Sequence, residues 1–267
     1  MTRILGVDFS GASDAGRKIW IAEGRPDARG ALKLLTCVAA IDLPGGGKTP
    51  AEAVPALTRH IAGLGAARVG CDFPFSLPRD LVKASSWRGF ALRYAAEFAD
   101  ADTFRSLMRS QQNAVEHKRA TDRIAGTPFN SYNLRLYRQT WWGISGLLRP
   151  LVADRKAIVR PQQKLSAGKP VLMEVCAACT LKSIDLYPSY KGREAKHRRA
   201  RRRILEGLVE RGALAPPSRR MRALLLDNEG GDALDAAIGA VAAARADLSV
   251  EPDAFQRLEG RVYYEIG

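Results

Sequence analysis

The sequence is poor in the residues that build zinc and redox sites. It has 4 cysteines and 3 histidines among 267 residues. Cys176 and Cys179 form a CxxC pair, but no second CxxC or CxxH pair completes a zinc site. Each cysteine lies in or beside an apolar run, so we expect buried, reduced thiols. The histidines share no spacing, and we assign them no catalytic role.

Long apolar runs are also missing. No stretch approaches the ~20 apolar residues of a membrane span. The opening MTRILGVDFSG has one basic residue and then an Asp at position 8, unlike a signal peptide. We therefore expect a cytosolic protein with no membrane partner. Apolar residues make up 46% of the chain, enough for a substantial core, and we predict one domain over residues 1–267.

Acidic residues are outnumbered. Lys and Arg total 42 against 28 Asp and Glu, which gives a net charge of +14. Such an excess favours a polyanionic partner, most often nucleic acid. Eight basic residues lie between Lys191 and Arg203, and we select Arg198, Arg199 and Arg202 as nucleic-acid contacts. The alternative is a solvated helix face.

Five carboxylates stand out from this basic background. Asp8, Asp72 and Glu174 each lie at or near the end of an apolar run, and Asp232 and Asp235 stand three apart in GDALDAAIGAVAAA. A buried acid is costly alone. Several together suggest a shared divalent metal, for which Mg²⁺ or Mn²⁺ is the natural choice.

Structural alternatives exist for most of these acids. Asp8 could start a turn, and Asp72 could form an Asx turn before Phe73–Pro74. Asp232 could be the N-cap of the last helix, which would leave Asp235 as a first-turn acid favoured by the helix dipole.

The apolar pattern predicts strands and helices in a definite order. GGGKT resembles part of a phosphate-binding loop. A simpler interpretation is a helix with Thr49 as N-cap, Pro50 in the first turn and Glu52 completing a capping box. Pro55 inside that segment predicts a bend or a later start. Five strands are predicted, in the segments ILGVDF, KIWIAEG, LKLLTCVAAI, ARVGCDFPF and KPVLMEVCA.

This order predicts an α/β fold of the ribonuclease H-like type. A three-strand antiparallel meander would be joined by parallel strands, flanked by helices, with a helical insertion at about 79–165. An actin-like or sugar-kinase half shares much of that plan.

Several motifs resemble one family, the domain of unknown function 429 group of predicted ribonuclease H-like nucleases. The similar segments are GVDFSGA at 6–12, GCDFPFSLP at 70–78, KRATD at 118–122, YRQTWWGI at 137–144, EVCAACTL at 174–181, YKG at 190–192, GDALDAAIGA and EGRVYYEI. Asp8, Asp72, Asp232 and Asp235 also resemble the acids of RuvC-type resolvases. The resemblance covers nearly the whole chain. Where that family usually has an aromatic residue or His and then Pro, this chain has Cys176–Ala177.

The resemblance implies a nuclease-like fold with an acidic centre. Hydrolysis of a phosphodiester would use two divalent ions ~4 Å apart. We predict that Asp8 bridges both ions, that Asp72 and Asp235 hold one each, and that Asp232 and Glu174 add a ligand or orient water.

Arg119 and Asp122 stand one turn apart, which predicts either a surface ion pair or a phosphate-contacting arginine oriented by its aspartate and helped by Lys191. The leading hypothesis is a metal-dependent nuclease. The alternatives are a binding module without catalysis and an actin- or kinase-like phosphotransferase.

Overall fold

A mixed β-sheet forms the centre of the molecule. The structure, a computed structural model, describes residues 2–111 and 117–267. In these residues seven strands share one sheet of order β3-β2-β1-β4-β6-β5, with β7 paired to β6. The strands are β1 (Arg3–Asp8), β2 (Trp20–Pro26), β3 (Leu32–Ala39), β4 (Ala67–Asp72), β5 (Ile158–Arg160), β6 (Pro170–Val175) and β7 (Val262–Tyr263).

Strand direction changes at β1. The pairs β1–β2 and β2–β3 are antiparallel, whereas β1–β4, β4–β6, β5–β6 and β6–β7 are parallel. The predicted α/β class with a mixed sheet flanked by helices is therefore confirmed. Parallel neighbours bring their carboxyl ends to one edge of the sheet, which is where the acids of the sequence lie.

Helices cover both faces of the sheet. They are α1 (Ala15–Lys18), α2 (Pro50–Ala62), α3 (Trp87–Glu97), α4 (Ala101–Gln111), α5 (Ala120–Ala125), α6 (Tyr137–Trp142), α7 (Arg149–Ala153), α8 (Ala177–Ser183), α9 (Ala195–Glu210), α10 (Arg219–Asp227), α11 (Asp232–Arg245) and α12 (Gln256–Glu259). A π-helical segment, Gly143–Leu148, joins α6 to α7. None of the helices described is both long and apolar enough to cross a membrane.

Local signals in the sequence fix α2. The Thr49 amide donates to Glu52 Oε2 at 2.9 Å, and the Thr49 hydroxyl reaches the same oxygen at 2.7 Å. The capping box is therefore confirmed. The later start considered because of Pro55 is wrong, since α2 runs from Pro50 to Ala62 with Pro55 inside it.

The region predicted as a helical insertion, 79–165, contains more than helices. Its described part holds α3 to α7, but it also holds β5, which pairs with β6 from Ile158↔Val171 to Arg160↔Met173. Three residues are too few to show an alternating pattern, so this strand has no periodic signal of its own. Residues 112–116 of the predicted insertion lie outside the described part.

The small residues of α11 allow it to lie directly on β1 and β4. A Cβ atom added to Gly6 would stand 2.0 Å from the Ala236 carbonyl oxygen, and one added to Gly70 would stand 2.7 Å from that of Gly239. Only glycine fits these two strand positions, because any side chain would push the helix away. The contact holds the first turn of α11 close to the ends of both strands.

Candidate active site at the ends of the parallel strands

Asp8 and Asp72 stand side by side. They are the last residues of β1 and β4 and are directly paired in the parallel register, which puts their backbones about 4.8 Å apart. Gly6 and Gly70, two residues earlier on each strand, face α11. Because side chains alternate along a strand, both aspartates face the same side, toward the first turn of α11.

Asp235 reaches this point from α11. Its carboxylate is buried, accepting a hydrogen bond from the Tyr190 hydroxyl at 2.6 Å and contacting the Lys191 ammonium at 2.6 Å. Asp232 lies one turn earlier and is half-buried. The N-cap alternative for Asp232 is wrong, because Gly231 occupies that position.

The four aspartates disturb one another's ionisation. Burial and the Asp235 charge raise the pKa of Asp8 well above its usual range, with further contributions from Asp72 and Asp232. Burial and Asp235 also raise the pKa of Asp72, to about 7. Burial raises the pKa of Asp232 and of Asp235 as well. The positive charge of Lys191 acts in the opposite direction and lowers the pKa of all four acids.

Hydrogen bonds to the backbone on either side of Lys191 hold this residue in place. Burial lowers its pKa, but the charges of Asp235, Asp8 and Asp72 outweigh burial and raise it. On either side of Lys191, the Tyr190 and Gly192 carbonyls accept hydrogen bonds from Arg201 Nη1 at 2.6 and 3.1 Å. This clamp fixes the segment that carries the ammonium.

Sequence reasoning missed Arg201, which is 2% exposed. A signal for it exists in α9. Ile204, Leu205 and Leu208 are the buried apolar residues of that helix, and position 201 precedes them by three, four and seven residues, which places it on their face. Gln139 was missed too; its side-chain amide donates to the carbonyl of Asp72.

Glu174 faces the other side of the sheet. Its partner in the register is Cys71, the neighbour of Asp72, so the alternation of side chains turns it away from the aspartates. Its carboxylate accepts two hydrogen bonds from the Arg119 guanidinium and one from the Phe75 amide at 2.9 Å. These contacts differ from the metal ligation that the sequence predicts for Glu174.

Arg119 is buried at the N-cap of α5, with all five guanidinium N–H groups engaged. They donate to Asp122, Glu174 and the Glu259 carbonyl. Burial lowers the pKa of Arg119, but Asp122 and Glu174 outweigh it, and the pKa rises above its usual value. The ion pair with Asp122 exists, yet it lies in the interior. The arrangement leaves no guanidinium donor for a phosphate, the role predicted for Arg119.

The three arginines selected on α9 lie outside the cavity that the acids line. Arg198, Arg199 and Arg202 are exposed, and Arg198 Nε contacts Asp227 Oδ1 at 2.7 Å. They form part of the basic outer face of the helix. These arginines are therefore too far out to contact a substrate atom that lies at the aspartates. They are placed to contact only a longer nucleic-acid chain.

All four cysteines are free thiols, as expected, and only Cys176 is less than fully buried. Burial raises the pKa of the Cys37 thiol to about 12. The Cys176 sulfur accepts a hydrogen bond from the Cys179 amide at 3.3 Å and so caps α8. The CxxC pair thus has a structural role at the start of this helix.

One cavity of about 450 Å³ connects these groups. Both acidic groups line it, from the aspartates on one side to Glu174, Arg119 and Asp122 on the other. Its remaining wall comes from the segment before α6, which includes Phe129 and Arg135, from the segment between α8 and α9, which includes Tyr187, and from Lys18 at the end of α1. The volume is typical of a small-molecule site.

The aspartates offer hard oxygen ligands of the kind that Mg²⁺ and Mn²⁺ prefer. As they stand, no group of three or more His, Cys, Asp or Glu side chains in residues 2–111 and 117–267 is spaced to hold a metal ion. Lys191 is instead the cation among them. No family model, curated protein or solved structure matches this chain.

Proposed function

We propose that this protein is a metal-dependent nuclease or phosphodiesterase that acts on nucleic acid. The observation that carries the proposal is the meeting of Asp8, Asp72 and Asp235, from three separate elements, in one cavity. Burial, together with the charge of neighbouring acids, raises the pKa values of Asp8 and Asp72, and perturbed pKa values are typical of functional sites.

The strand arrangement supports the same proposal. A three-strand antiparallel meander, β1 to β3, lies beside the parallel strands β4 and β6, as the ribonuclease H-like plan requires. In that plan the acids at the ends of β1 and β4 and on a late helix belong to the active centre. This chain has acids at all three places.

The chemistry of the donors suits a divalent cation, although in the described residues the side chains as they stand are not spaced to hold one. Asp8, Asp72 and Asp235 would hold it, with Asp232 one helical turn from Asp235. Two carboxylates ~4 Å apart repel each other by about 4 kcal/mol at an effective dielectric of 20, a cost that a cation would relieve. The bound ion would supply a water of lowered pKa and stabilise the leaving oxygen. Glu174 is not part of this set, because Arg119 and the Phe75 amide occupy its oxygens.

Lys191 has a second task in this proposal. Its side chain is 55% exposed even though its ammonium touches Asp235, so it can turn toward a phosphate that enters the cavity. A lysine ammonium binds phosphate as a compact point charge. Exchange of Lys191 from carboxylate to phosphate would free Asp235 as a ligand when substrate arrives.

The net charge of +14 and the exposed arginines of α9 support nucleic acid as the partner. A second candidate function is nucleic-acid binding without catalysis. One observation favours it: Lys191 already neutralises Asp235, which is one of the three proposed ligands.

Replacement of Asp8 by Asn separates the two candidates. We expect Asp8→Asn to lower Mn²⁺-dependent cleavage of an oligonucleotide at least 100-fold, because a neutral amide is a poor ligand for a hard cation. Asp80→Asn, at an exposed acid outside the cavity, is the matched control and should keep its activity. Unchanged cleavage in Asp8→Asn, with the circular dichroism spectrum of the wild type, contradicts the nuclease proposal.

A further inference from the structure

We infer that the cavity accepts a single strand of nucleic acid, one unpaired nucleotide at a time, and not a duplex. This inference rests on the proposed function and adds the substrate class. It follows from the walls of the cavity, from the cations along it and from its size.

Two walls of the cavity present an aromatic ring paired with a cation. In the segment before α6, the Arg135 guanidinium lies 5.2 Å from the centre of the half-buried Phe129 ring. In the segment after α8, the Tyr187 ring is 49% exposed, and its centre lies 5.3 Å from the ammonium of Lys182, in the last turn of α8. Phe129 and Tyr187 both line the cavity.

Such rings are the usual platforms for unpaired bases. Stacking of one base on an aromatic side chain is worth about 1–3 kcal/mol and works for any base, since each has a π-face. A base inside a duplex is already stacked and paired, and cannot use these rings. Stacking on these walls therefore contributes binding free energy to a single strand but not to a duplex.

Positive charges from three elements lie along the same cavity. Lys18 comes from α1, Arg135 from the segment before α6, and Lys191 from the segment before α9. Lys18 contacts Asp14 at 3.3 Å with half of its side chain exposed. Cations next to stacking rings are what a protein needs in order to follow a single-stranded backbone.

The size of the cavity gives the third argument. A volume of about 450 Å³ lies in the range of ~300–1,000 Å³ that encloses small molecules, and so suits a nucleotide. A duplex is recognised over roughly 1,000–2,500 Å² of protein surface. For a phosphate to reach Asp8 and Asp72 between these walls, its nucleotide must enter with it.

Binding can be measured without cleavage. We would use fluorescence anisotropy with labelled 12-nucleotide DNA and RNA strands in EDTA, each alone and annealed to its complement. We expect each single strand to bind at least tenfold more tightly than its duplex. Phe129→Ala and Tyr187→Ala should each weaken single-strand binding about 5- to 100-fold, the effect of one lost stack.

Two further variants serve as controls. Phe255→Ala removes an exposed ring that also lies under an arginine, with Arg79 at 5.1 Å, but outside this cavity, and should change affinity less than twofold. Tyr187→Phe keeps the ring and should bind single strands more tightly than Tyr187→Ala does. Equal or tighter duplex binding, or full affinity in both alanine variants, overturns the inference.

Cleavage assays with Mn²⁺ on the same strands distinguish this failure from that of the proposed function. Single-strand binding that depends on both rings, without cleavage of any substrate, supports the inference and contradicts the nuclease proposal. Cleavage of duplex that is unaffected by Phe129→Ala supports the nuclease proposal and overturns the inference.

Discussion

Two groups of acids line the same cavity, and they are neutralised in opposite ways. Glu174 and Asp122 surround Arg119, whose five N–H groups are all engaged. The ammonium of Lys191 acts on Asp8, Asp72, Asp232 and Asp235, and Lys18 also acts on Asp232. Burial raises the pKa of all four, as it raises that of Glu174. The carboxylates of the first group receive all their donors from within the protein, whereas those of the second group outnumber the cations beside them.

The difference shows how a buried acid should be interpreted. Burial alone does not mark a catalytic acid, because Glu174 and Asp122 are buried whereas Asp8, Asp72 and Asp232 are only half-buried. The partners of each acid differ: an acid that receives a full set of donors holds elements together, and an acid that shares too little positive charge is the kind that we propose takes a cation from outside. The sheet separates the two groups, with the aspartates on the α11 side and Glu174 on the other.

We expect the largest effect on stability from a change in the group around Arg119. Arg119→Met leaves Glu174 and Asp122 buried without their cation, and we expect the free energy of unfolding to fall by about 3–5 kcal/mol. Urea denaturation followed by circular dichroism measures it. Arg199→Met, at an exposed position, should stay within ~0.5 kcal/mol of the wild type. A loss below ~1 kcal/mol in Arg119→Met would show that the network does not hold the fold.

The dependence of stability on pH should report the ionisation of the aspartates, and of Asp72 in particular. In the unfolded chain Asp72 loses its proton near its usual pKa of ~3.9, whereas in the folded protein it keeps the proton to about pH 7. The folded state binds more protons in between, so the free energy of unfolding should fall as pH rises from about 4 to 7.

Asp72→Asn removes this titration. In metal-free buffer we expect the variant to lose less stability than the wild type over that range, by on the order of 2 kcal/mol. Urea denaturation at a series of pH values provides the measurement, and Asp80→Asn is the control. Parallel curves for the wild type and Asp72→Asn would mean that Asp72 ionises normally.

A smaller effect should appear in metal affinity. If Lys191 takes the place of an external cation, Lys191→Met should bind Mn²⁺ about tenfold more tightly in a calorimetric titration, because a repelling positive charge is gone. Lys196→Met changes an exposed lysine that pairs with Glu194 at 3.0 Å, away from the cavity, and should leave Mn²⁺ affinity unchanged. Weaker binding in Lys191→Met would show that the lysine supports the ion.

Much of the fold follows from local patterns. The five longer strands are visible as apolar runs, the capping box fixes the start of α2, and the small residues of α11 predict a close contact that Gly6 and Gly70 then permit. The strand β5 has only three residues and depends on its pairing with β6. No window of sequence contains that information.

The site was predictable in part. Acids at strand ends pointed to Asp8 and Asp72, and the spacing on α11 pointed to Asp235. Glu174 faces the other side of the sheet, because in the register it pairs with Cys71, one residue before Asp72. A shift of one residue in register moves a side chain to the other face of a sheet. The register between two strands that are distant in the chain cannot be predicted from the sequence of either strand alone.

The most direct test of the account is the anomalous scattering of Mn²⁺ in soaked crystals of the wild-type protein. The account predicts a peak within coordination distance of Asp8, Asp72 and Asp235, with the Lys191 ammonium moved away from Asp235. It also predicts that Glu174 stays bonded to Arg119. A peak at Glu174, or the absence of any peak at the aspartates in millimolar Mn²⁺, would contradict the account.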